Sequence, residues 1–377
     1  MIIYHVGAWA GNFGDSILQQ SIYNNLTSIS KVNLEFRYIN CQTTEFTKEL
    51  IEEINTSGDM LLVGGGGLIF YRPQDNSVSG WQWNIHYELI DLLDVPLVVY
   101  GIGYNQFEFD HTNFIEITNK HLQKTVEKAA LFSVRNQGTK EELIARGCDG
   151  TKVRVIPDSG MFLESKPIQI PGLNSQKVKI GFNWTTDREN QTFPAPYEES
   201  KEAFLKACIQ SLNKIITDYN AQVVYIGHMS EEFDASIIKY LEENLIEAPV
   251  IIDRVLSDIY PPAGERASFL VDIYRQMDVV LGMRGHANIV SFGQKTPFIG
   301  LGSHRKIRYF LEDINRSSFF FDVRPNSEPY SVESMYQKIK DCIEHKEEHI
   351  NALNEELKKQ NNIFDSFNKE IIEVLCK

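Results

Sequence analysis

Short apolar runs rich in β-branched residues alternate with longer segments of helical periodicity along most of the chain. The first pair is an apolar run at residues 2–6 followed by residues 15–26, where apolar side chains recur every three or four positions. Because buried parallel strands read as continuous apolar runs joined by helical crossovers, this alternation predicts an open parallel sheet. The strands of this first series are predicted at residues 2–6, 33–39, 59–63, 96–103, 131–134 and 153–156, and its helices at residues 15–26, 45–55, 81–93, 111–129 and 139–146.

A second series of the same kind follows a stretch of weak periodicity. Residues 166–176 contain Pro167, Pro171 and Gly172 and are predicted to link two domains. The second series predicts strands at residues 179–184, 222–226, 250–253, 279–282, 298–301 and 319–323, and helices at residues 198–219, 231–244, 267–277, 286–292 and 306–312. We therefore predict an α/β protein of two Rossmann-like, doubly wound parallel-sheet domains, residues 1–165 and 176–330, facing a cleft. The charged helical segment 331–377 is expected to pack back across both domains.

Residues 278–301 combine a strand, a sharp turn and a helix with candidate chemistry. Arg284 and His286 fall in the turn, where free backbone N–H groups at a helix start favour anions. A guanidinium adds a planar fork that fits phosphate or carboxylate, and an imidazole beside an anion can carry a proton near neutral pH. The alternative is that Arg284 pairs with a carboxylate and His286 only fills the first helical turn.

Composition narrows the classes of partner. Of 377 residues, 37 are Lys or Arg and 51 are Asp or Glu, and the formal charge of −14 argues against a nucleic-acid-binding surface. A local arginine cluster can still bind an anionic substrate. The five cysteines are scattered without a Cys-x-x-Cys pair, and residues 1–7 read as a strand rather than as a signal peptide. We expect a cytoplasmic protein, with peripheral contact to the inner face of a membrane left open.

Two loops after predicted strands carry further candidate residues. In the first, Asn12 offers a donor and an acceptor and Asp15 a carboxylate for hydroxyl recognition or base catalysis, unless Asp15 is only a helix N-cap. In the second, four glycines at residues 64–67 lack the spacing of a dinucleotide-binding loop. They suit a bare backbone wall with Gly65 and Gly66 against a ligand, or only a turn.

Three more side chains stand at strand ends. Ser133 and Arg135 alternate on one side of a strand end, where Arg135 could clamp an anion or form a salt bridge. Asp158 could steer a histidine, bind a hydroxyl or only hold its turn. The sequence His345-Lys-Glu-Glu-His349 has the inverted zinc-protease spacing, but it lies in a charged, solvated stretch, so we expect no metal site there.

Taken in order, these stretches resemble the polysaccharide pyruvyl transferase family. The matching pieces lie within roughly residues 1–312, and they are residues 11–15, 64–69, 133–135, 157–158, 283–297 and Lys306. Gly285 departs from the family pattern, which usually has a bulky apolar residue there, and so predicts a looser turn. The resemblance implies two facing Rossmann-like domains of the GT-B-like class of glycosyltransferases.

Members of this family transfer pyruvate from phosphoenolpyruvate to two hydroxyls of a sugar as a ketal and release phosphate. The resemblance implies that the donor is bound by Arg135, Arg284, Ser133, Gly285 and Lys306. It implies catalysis by His286 as proton donor or relay with Arg284 and Asp15, and binding of a glycan or lipid-linked sugar acceptor by Asn12, Asp15, Gly65, Gly66 and Asp158. No metal or other cofactor is expected. The aromatic residues Trp9, Tyr71, Trp81 and Trp83 could stack on sugar faces or pack in the core.

Two alternatives remain open at this point. One is a glycosyltransferase of similar two-domain shape that uses a nucleotide sugar. The other is a non-catalytic protein that binds a sugar or an anion and tolerates the loss of His286.

Overall fold

The computed structural model describes residues 1–8, 12–72, 76–110, 112–259 and 265–377, with the side chains of residues 257–259 left out. Its first half contains six strands, β1 Ile2–Gly7, β2 Glu35–Asn40, β3 Met60–Ile69, β4 Leu97–Tyr104, β5 Leu131–Val134 and β6 Val153–Val155. The helices between them are α1 Phe13–Ile29, α2 Lys48–Ser57, α3 Ile117–Lys128 and α4 Gln137–Ala145, with 3-10 helices at Tyr87–Leu92 and Ser159–Phe162.

The second half repeats this alternation. Its strands are β7 Val178–Asn183, β8 Ala221–Tyr225, β9 Val250–Ile251, β10 Val279–Gly282, β11 Phe298–Gly302 and β12 Phe320–Asp322. Its helices are α5 Glu189–Thr192, α6 Tyr197–Tyr219, α7 Glu231–Asn244, α8 Ile252–Ile259, α9 Arg266–Arg275, α10 Gly285–Gly293, α11 Arg305–Asp313, α12 Val332–Glu344 and α13 Lys346–Leu375. A 3-10 helix, Ser317–Phe319, precedes β12.

Both sheets are wholly parallel in their described strand pairs, and each has one point where the winding reverses. The first sheet has the order β2-β1-β3-β4-β5-β6, so its switch point lies between β1 and β3. The second has the order β12-β11-β10-β7-β8-β9, with its switch point between β7 and β10. Ligands of such sheets bind outside the carboxyl ends of the strands at these points. The predicted fold class, two doubly wound parallel-sheet domains, is confirmed.

The central strands are apolar because helices cover both faces of each sheet. All eight residues of β4 are buried, and so are all four of β10. Two separate apolar clusters cover the two faces of the first sheet, and two more cover those of the second. The predicted linker, residues 166–176, lies between the last strand of the first sheet and the first strand of the second.

The C-terminal helix α13 joins the two halves. Its N-terminal part packs against the second domain through Leu353, while Phe364, Phe367 and Ile371 pack against the first sheet. The hydroxyl of Tyr100 on β4 also donates to Asn368 Oδ1 at 2.8 Å. The expectation that this segment packs back across the domains is therefore correct.

Three local predictions differ from the structure. Strand β3 does not end before the four glycines but runs through them, because a Cβ at Gly64 would lie 2.1 Å from the carbonyl oxygen of Tyr100 on the neighbouring strand. Residues 81–86 are not helical, since Trp81, Trp83 and Ile85 alternate into the core with the period of an extended chain. Strand β9 has only two residues, and helix α8 takes over the rest of the predicted strand 250–253.

The packing of α13 can be tested by truncating a buried side chain. Phe367→Ala removes a side chain that is 0% exposed and is expected to lower the free energy of unfolding by about 3–5 kcal/mol. The matched control is Ile363→Ala on the same helix, which is 44% exposed and should change it by less than about 0.5 kcal/mol. Urea denaturation measures both values. Equal effects of the two substitutions would contradict the docked position of the helix.

Candidate active site

The two switch points open onto one shared pocket. Loops after β1, β3, β4 and β5 line it from the first domain, and loops after β7, β10 and β11 line it from the second. The cavity volume is about 220 Å³, below the roughly 300–1,000 Å³ of pockets that enclose drug-sized ligands. The pocket therefore suits a small ligand.

Arg135 enters the pocket from the end of β5. Its Nη1 donates to Asp158 Oδ2 at 3.0 Å, and the side chain is 4% exposed. The guanidinium lies against Gly103 on β4, where a Cβ would come within 2.3 Å of Nε. A residue with a side chain at position 103 would therefore displace Arg135.

Arg284 enters from the opposite domain, at the N-cap of α10. Its backbone N–H donates to Asn183 Oδ1 at 2.9 Å, and its Nη2 pairs with Asp187 Oδ1. Its Nε is buried and has no hydrogen-bond partner among the described residues. The arginine is thus held at both its backbone and its tip, while one donor stays available for a ligand.

His286 lies in the first turn of α10 and touches the first domain. A Cβ at Gly14, near the start of α1, would lie only 2.0 Å from His286 Nδ1, so this glycine provides the space for the imidazole. Nε2 is 3.9 Å from Asp158 Oδ2 and has no hydrogen-bond partner in the part of the chain that the structure describes. The ring therefore has an unused polar atom inside the site.

Lys306, in the first turn of α11, crosses to the first domain. Its Nζ donates to Asn105 Oδ1 at 3.0 Å, and His304 Nε2 lies 3.1 Å from the same oxygen. Because His304 Nδ1 accepts from the Lys306 N–H, the proton of this imidazole is assigned to Nε2. A Cβ at Gly285 would meet Lys306 Cε at 3.1 Å, so the lysine side chain occupies the space beside this glycine.

Asp15 is the carboxylate of the pocket on the first domain. The N-cap of α1 is Asn12, whose Oδ1 accepts from the Gly14 N–H at 2.9 Å. Asp15 is therefore not needed as a cap, and its side chain lines the pocket, as does that of Asn12. Residue Gly11 of this loop lies outside the described residues.

The burial of several charges in one pocket shifts their pKa values. Burial lowers the pKa of His286 well below its usual range, and the charges of Arg135, Lys306 and Arg284 lower it further. Burial, followed by the same two arginines, lowers the pKa of Lys306 to about 7. Burial raises the pKa of Asp15 to about 6, although Lys306 and Arg135 oppose this. In the empty pocket His286 is neutral, and two further groups titrate near neutral pH.

Four of the predicted site residues do not line the pocket. Ser133 is 0% exposed, and its hydroxyl donates to the Val99 carbonyl and accepts from the Gly101 N–H, so the neighbouring strand uses both of its hydrogen bonds. A Cβ on Gly65 would meet Ile22 and Leu18 of α1, and one on Gly66 would meet Leu18 and Asp15 Oδ1. Of the four glycines at residues 64–67, the one that lines the pocket is Gly67.

Asp158 is placed to orient other groups rather than to contact a ligand. Its side chain is 3% exposed, and its two oxygens accept from Arg135 Nη1 and from the Gly160 N–H. The alternative that it steers a histidine fits its 3.9 Å distance from His286. The prediction that it binds an acceptor hydroxyl has no geometric support.

Those aromatic residues named from the sequence that the structure describes do not line the pocket. Trp81 and Trp83 are 0% exposed in the core, and Trp81 Nε1 donates to His121 Nδ1 at 2.8 Å. Trp9 lies outside the described residues. The aromatic side chains that line the pocket are Phe70 and Phe107, which follow β3 and β4.

Sequence reasoning also missed several polar residues of the pocket. Asn105, Asp187 and His304 each follow a predicted strand within a few residues, which is the signal that could have found them. The search instead favoured loops that contain glycine or arginine beside a second motif. Arg188, which follows Asp187 and lines the pocket, was also missed.

Within the residues that the structure describes, neither a metal cluster nor a membrane-spanning helix is found. The described ranges contain no group of three or more His, Cys, Asp or Glu placed to hold a metal ion. In the spaced pair His345 and His349, each imidazole instead contacts Asp341. Of the helices described, none is long and apolar enough to cross a bilayer.

Comparison with solved structures places the chain among GT-B-like folds. The putative UDP-N-acetylglucosamine 2-epimerase of Listeria monocytogenes is 13% identical, with a TM-score of 0.55 over 93% of this chain and 90% of that one. The UDP-GlcNAc 2-epimerase of Neisseria meningitidis, bound to UDP-GlcNAc, is 12% identical with a TM-score of 0.57 over 100% of both chains. Anabaena HepE in complex with UDP and glucose is 12% identical, with a TM-score of 0.56 over 100% and 99%. At such identities the likeness concerns the fold alone.

Comparison of the sequence itself gives the family. No curated protein matches the chain. The family profile described as polysaccharide pyruvyl transferase, however, matches residues 12–305, which include every strand except β1 and β12 and every pocket residue described above except Lys306. The protein belongs to the polysaccharide pyruvyl transferase family.

Proposed function

We propose that this protein transfers the pyruvyl group of phosphoenolpyruvate to two hydroxyls of a sugar in a polysaccharide precursor, forming a ketal and releasing phosphate. The observation that carries this proposal is the convergence of Arg135 and Arg284, from opposite domains, with Lys306 on one small pocket. Phosphoenolpyruvate is a compact anion with two charged ends, a phosphate and a carboxylate. Guanidinium groups bind both kinds of end through paired N–H donors.

The reaction needs one proton donor and at least one proton acceptor. The enol C3 gains a proton and becomes a methyl group, while a sugar hydroxyl adds to C2 and loses its proton. A second hydroxyl then replaces the phosphate at C2, the C2–O bond to phosphate breaks, and the leaving phosphate departs as hydrogen phosphate. The products are a carboxylate-bearing ketal and inorganic phosphate, so atoms and charge balance.

His286 is the proposed donor of the C3 proton. It is neutral in the empty pocket because burial and three neighbouring cations oppose its protonation. A bound anion would reverse the local potential and raise the pKa of the imidazole. Proton uptake would then coincide with donor binding, and the unpartnered Nε2 gives the imidazole a free position in the site.

Asp15 is the proposed acceptor of the hydroxyl proton. Its pKa of about 6 leaves it mostly ionised at pH 7 and yet more basic than an ordinary aspartate, which suits a general base. It approaches from the first domain, opposite Arg284. Lys306 is proposed to offset the charge that develops on the departing phosphate.

The donor assignment is tested by substituting its cationic and acidic groups. Purified protein is incubated with phosphoenolpyruvate and a panel of glycosides, and phosphate release is followed. Arg284→Ala and His286→Ala should each lower kcat/KM by roughly a hundredfold or more. The matched control for His286 is His349→Ala, a histidine of similar exposure that contacts Asp341 of α12 and the ring of Phe319 and does not line the pocket, and it should leave turnover unchanged.

Two outcomes would overturn the proposed reaction. Turnover that occurs only with nucleotide sugars would favour a glycosyltransferase. Tight binding of phosphoenolpyruvate without turnover on any acceptor, unaffected by the loss of His286, would favour a binding protein.

Lys306 should make donor binding depend on pH. Its pKa in the empty pocket is about 7, so the amine loses its charge as the pH rises through 7, and the affinity for an anion falls. The Kd of phosphoenolpyruvate, measured by titration calorimetry, should rise between pH 7 and pH 9 by up to about tenfold per pH unit. In Lys306→Arg the cation persists across this range, so the Kd should rise less steeply with pH than in the wild-type protein, and the remaining rise should come from the proton that His286 takes up. A flat profile in the wild-type protein, or the same slope in both proteins, would remove Lys306 from donor binding.

A further inference from the structure

A row of side chains in ring contact runs through the pocket from His304 to Arg72. The His304 ring, beside Lys306, lies 4.1 Å from the ring of Phe107. The guanidinium of Arg188 then lies 5.3 Å from the Phe107 ring and 5.4 Å from that of Phe70. Arg72 lies over the same Phe70 ring at 5.2 Å. The row therefore contains two guanidinium groups against phenyl rings, in addition to the three cations Arg135, Arg284 and Lys306.

Arg188 is held by stacking alone. It belongs to the loop after β7 in the second domain, whereas both phenylalanines belong to the first. Its backbone is left-handed, with φ 61° and ψ 34°. Within the described ranges no acceptor takes a hydrogen bond from its guanidinium. Two rings thus lie against the cation, its N–H groups have no hydrogen-bond partner among the described residues, and Arg188 lines the pocket.

A second side chain in the same pocket is also unpartnered. Gln82 is 2% exposed and lines the pocket, and its Nε2 has no hydrogen-bond partner among the described residues. A buried amide donor without an acceptor costs roughly 1–3 kcal/mol. The usual reason for keeping such a group is a ligand that supplies the missing acceptor.

The row is distinct from the donor clamp, the group formed by Arg135, Arg284 and Lys306. A phenyl ring, Phe107, stands between Arg188 and His304. Both arginines of that group have carboxylates beside them, Asp158 for Arg135 and Asp187 for Arg284, whereas Arg188 has none within the residues described. A small donor held by Arg135, Arg284 and Lys306 leaves the guanidinium of Arg188 available to a second anionic group.

We propose that Arg188, with Arg72 beside it and Gln82 as a neutral donor, forms a subsite for a phosphate or diphosphate carried by the acceptor sugar. The assignment rests on the proposed function, because it takes the second substrate of that reaction to be a glycosyl phosphate rather than a neutral glycoside. A stacked guanidinium presents its in-plane N–H groups to phosphate oxygens. The partial desolvation by the two rings strengthens that contact.

Inorganic pyrophosphate serves as the probe of this subsite. Its Kd is measured by titration calorimetry with phosphoenolpyruvate held at saturation, so that the donor clamp is occupied. Arg188→Gln should raise the Kd of pyrophosphate by about tenfold and change that of phosphoenolpyruvate less than about threefold. The retained affinity for phosphoenolpyruvate also shows that the variant is folded. Arg188→Lys, which keeps the charge but loses the planar stack, should fall between the wild-type protein and Arg188→Gln.

The matched control is Arg146→Gln. Arg146 also lies over two rings, Tyr104 and Phe114, but does not line the pocket. Arg146→Gln should leave the Kd of pyrophosphate and that of phosphoenolpyruvate unchanged.

Failure of the anion subsite and failure of the proposed function give different results. Pyrophosphate binding that is absent in the wild-type protein, or equal in wild type and Arg188→Gln, overturns the subsite. An equal loss of both ligands in Arg188→Gln assigns Arg188 to the donor clamp and also overturns it. If pyrophosphate binding depends on Arg188 but phosphoenolpyruvate does not bind at all, the anion subsite stands and the proposed donor is overturned.

Discussion

Two arginines, a lysine and a histidine share one largely buried pocket, and their mutual repulsion governs the rest of the site. Arg135 and Arg284 each have a carboxylate partner, whereas Lys306 has only the amide oxygen of Asn105. Repulsion and burial together bring the pKa of Lys306 to about 7 and hold His286 neutral. An anion that enters this pocket offsets the repulsion and burial that disfavour the charged forms of both Lys306 and His286. The site therefore suits a small, multiply charged anion, and the proposed protonation of His286 requires that anion.

The fold supplies these cations from both sides because the two sheets present their switch points to the same pocket. Close approaches are possible where a side chain is missing. Gly14 makes room for the His286 ring and Gly103 for the Arg135 guanidinium. The rings of Phe70 and Phe107 receive Arg188 across the cleft, so the outer part of the pocket is also built from both domains. Helix α13 packs on both domains, which fixes their relative position.

The sequence was sufficient for the fold and for the inner cations, but not for the outer part of the site. Strands such as β5 and β10 matched their predicted bounds because their apolar runs are short and bounded by turns. Arg135, Arg284, His286 and Lys306 were found because each follows a strand within a recognisable motif. Ser133 was misassigned, since alternation along a strand does not reveal that a neighbouring strand uses the hydroxyl. Phe107 and Arg188 were missed because contacts across the cleft leave no local pattern in either segment.

The most direct test of this account is the charge of His286 with and without the donor. Nitrogen-15 NMR of histidine-labelled protein at pH 7, assigned by comparison with His286→Asn, reports the protonation of the imidazole. The account predicts a neutral ring in the empty protein and a protonated ring when phosphoenolpyruvate is bound. A ring that stays neutral in both states, or is charged in both, would contradict it.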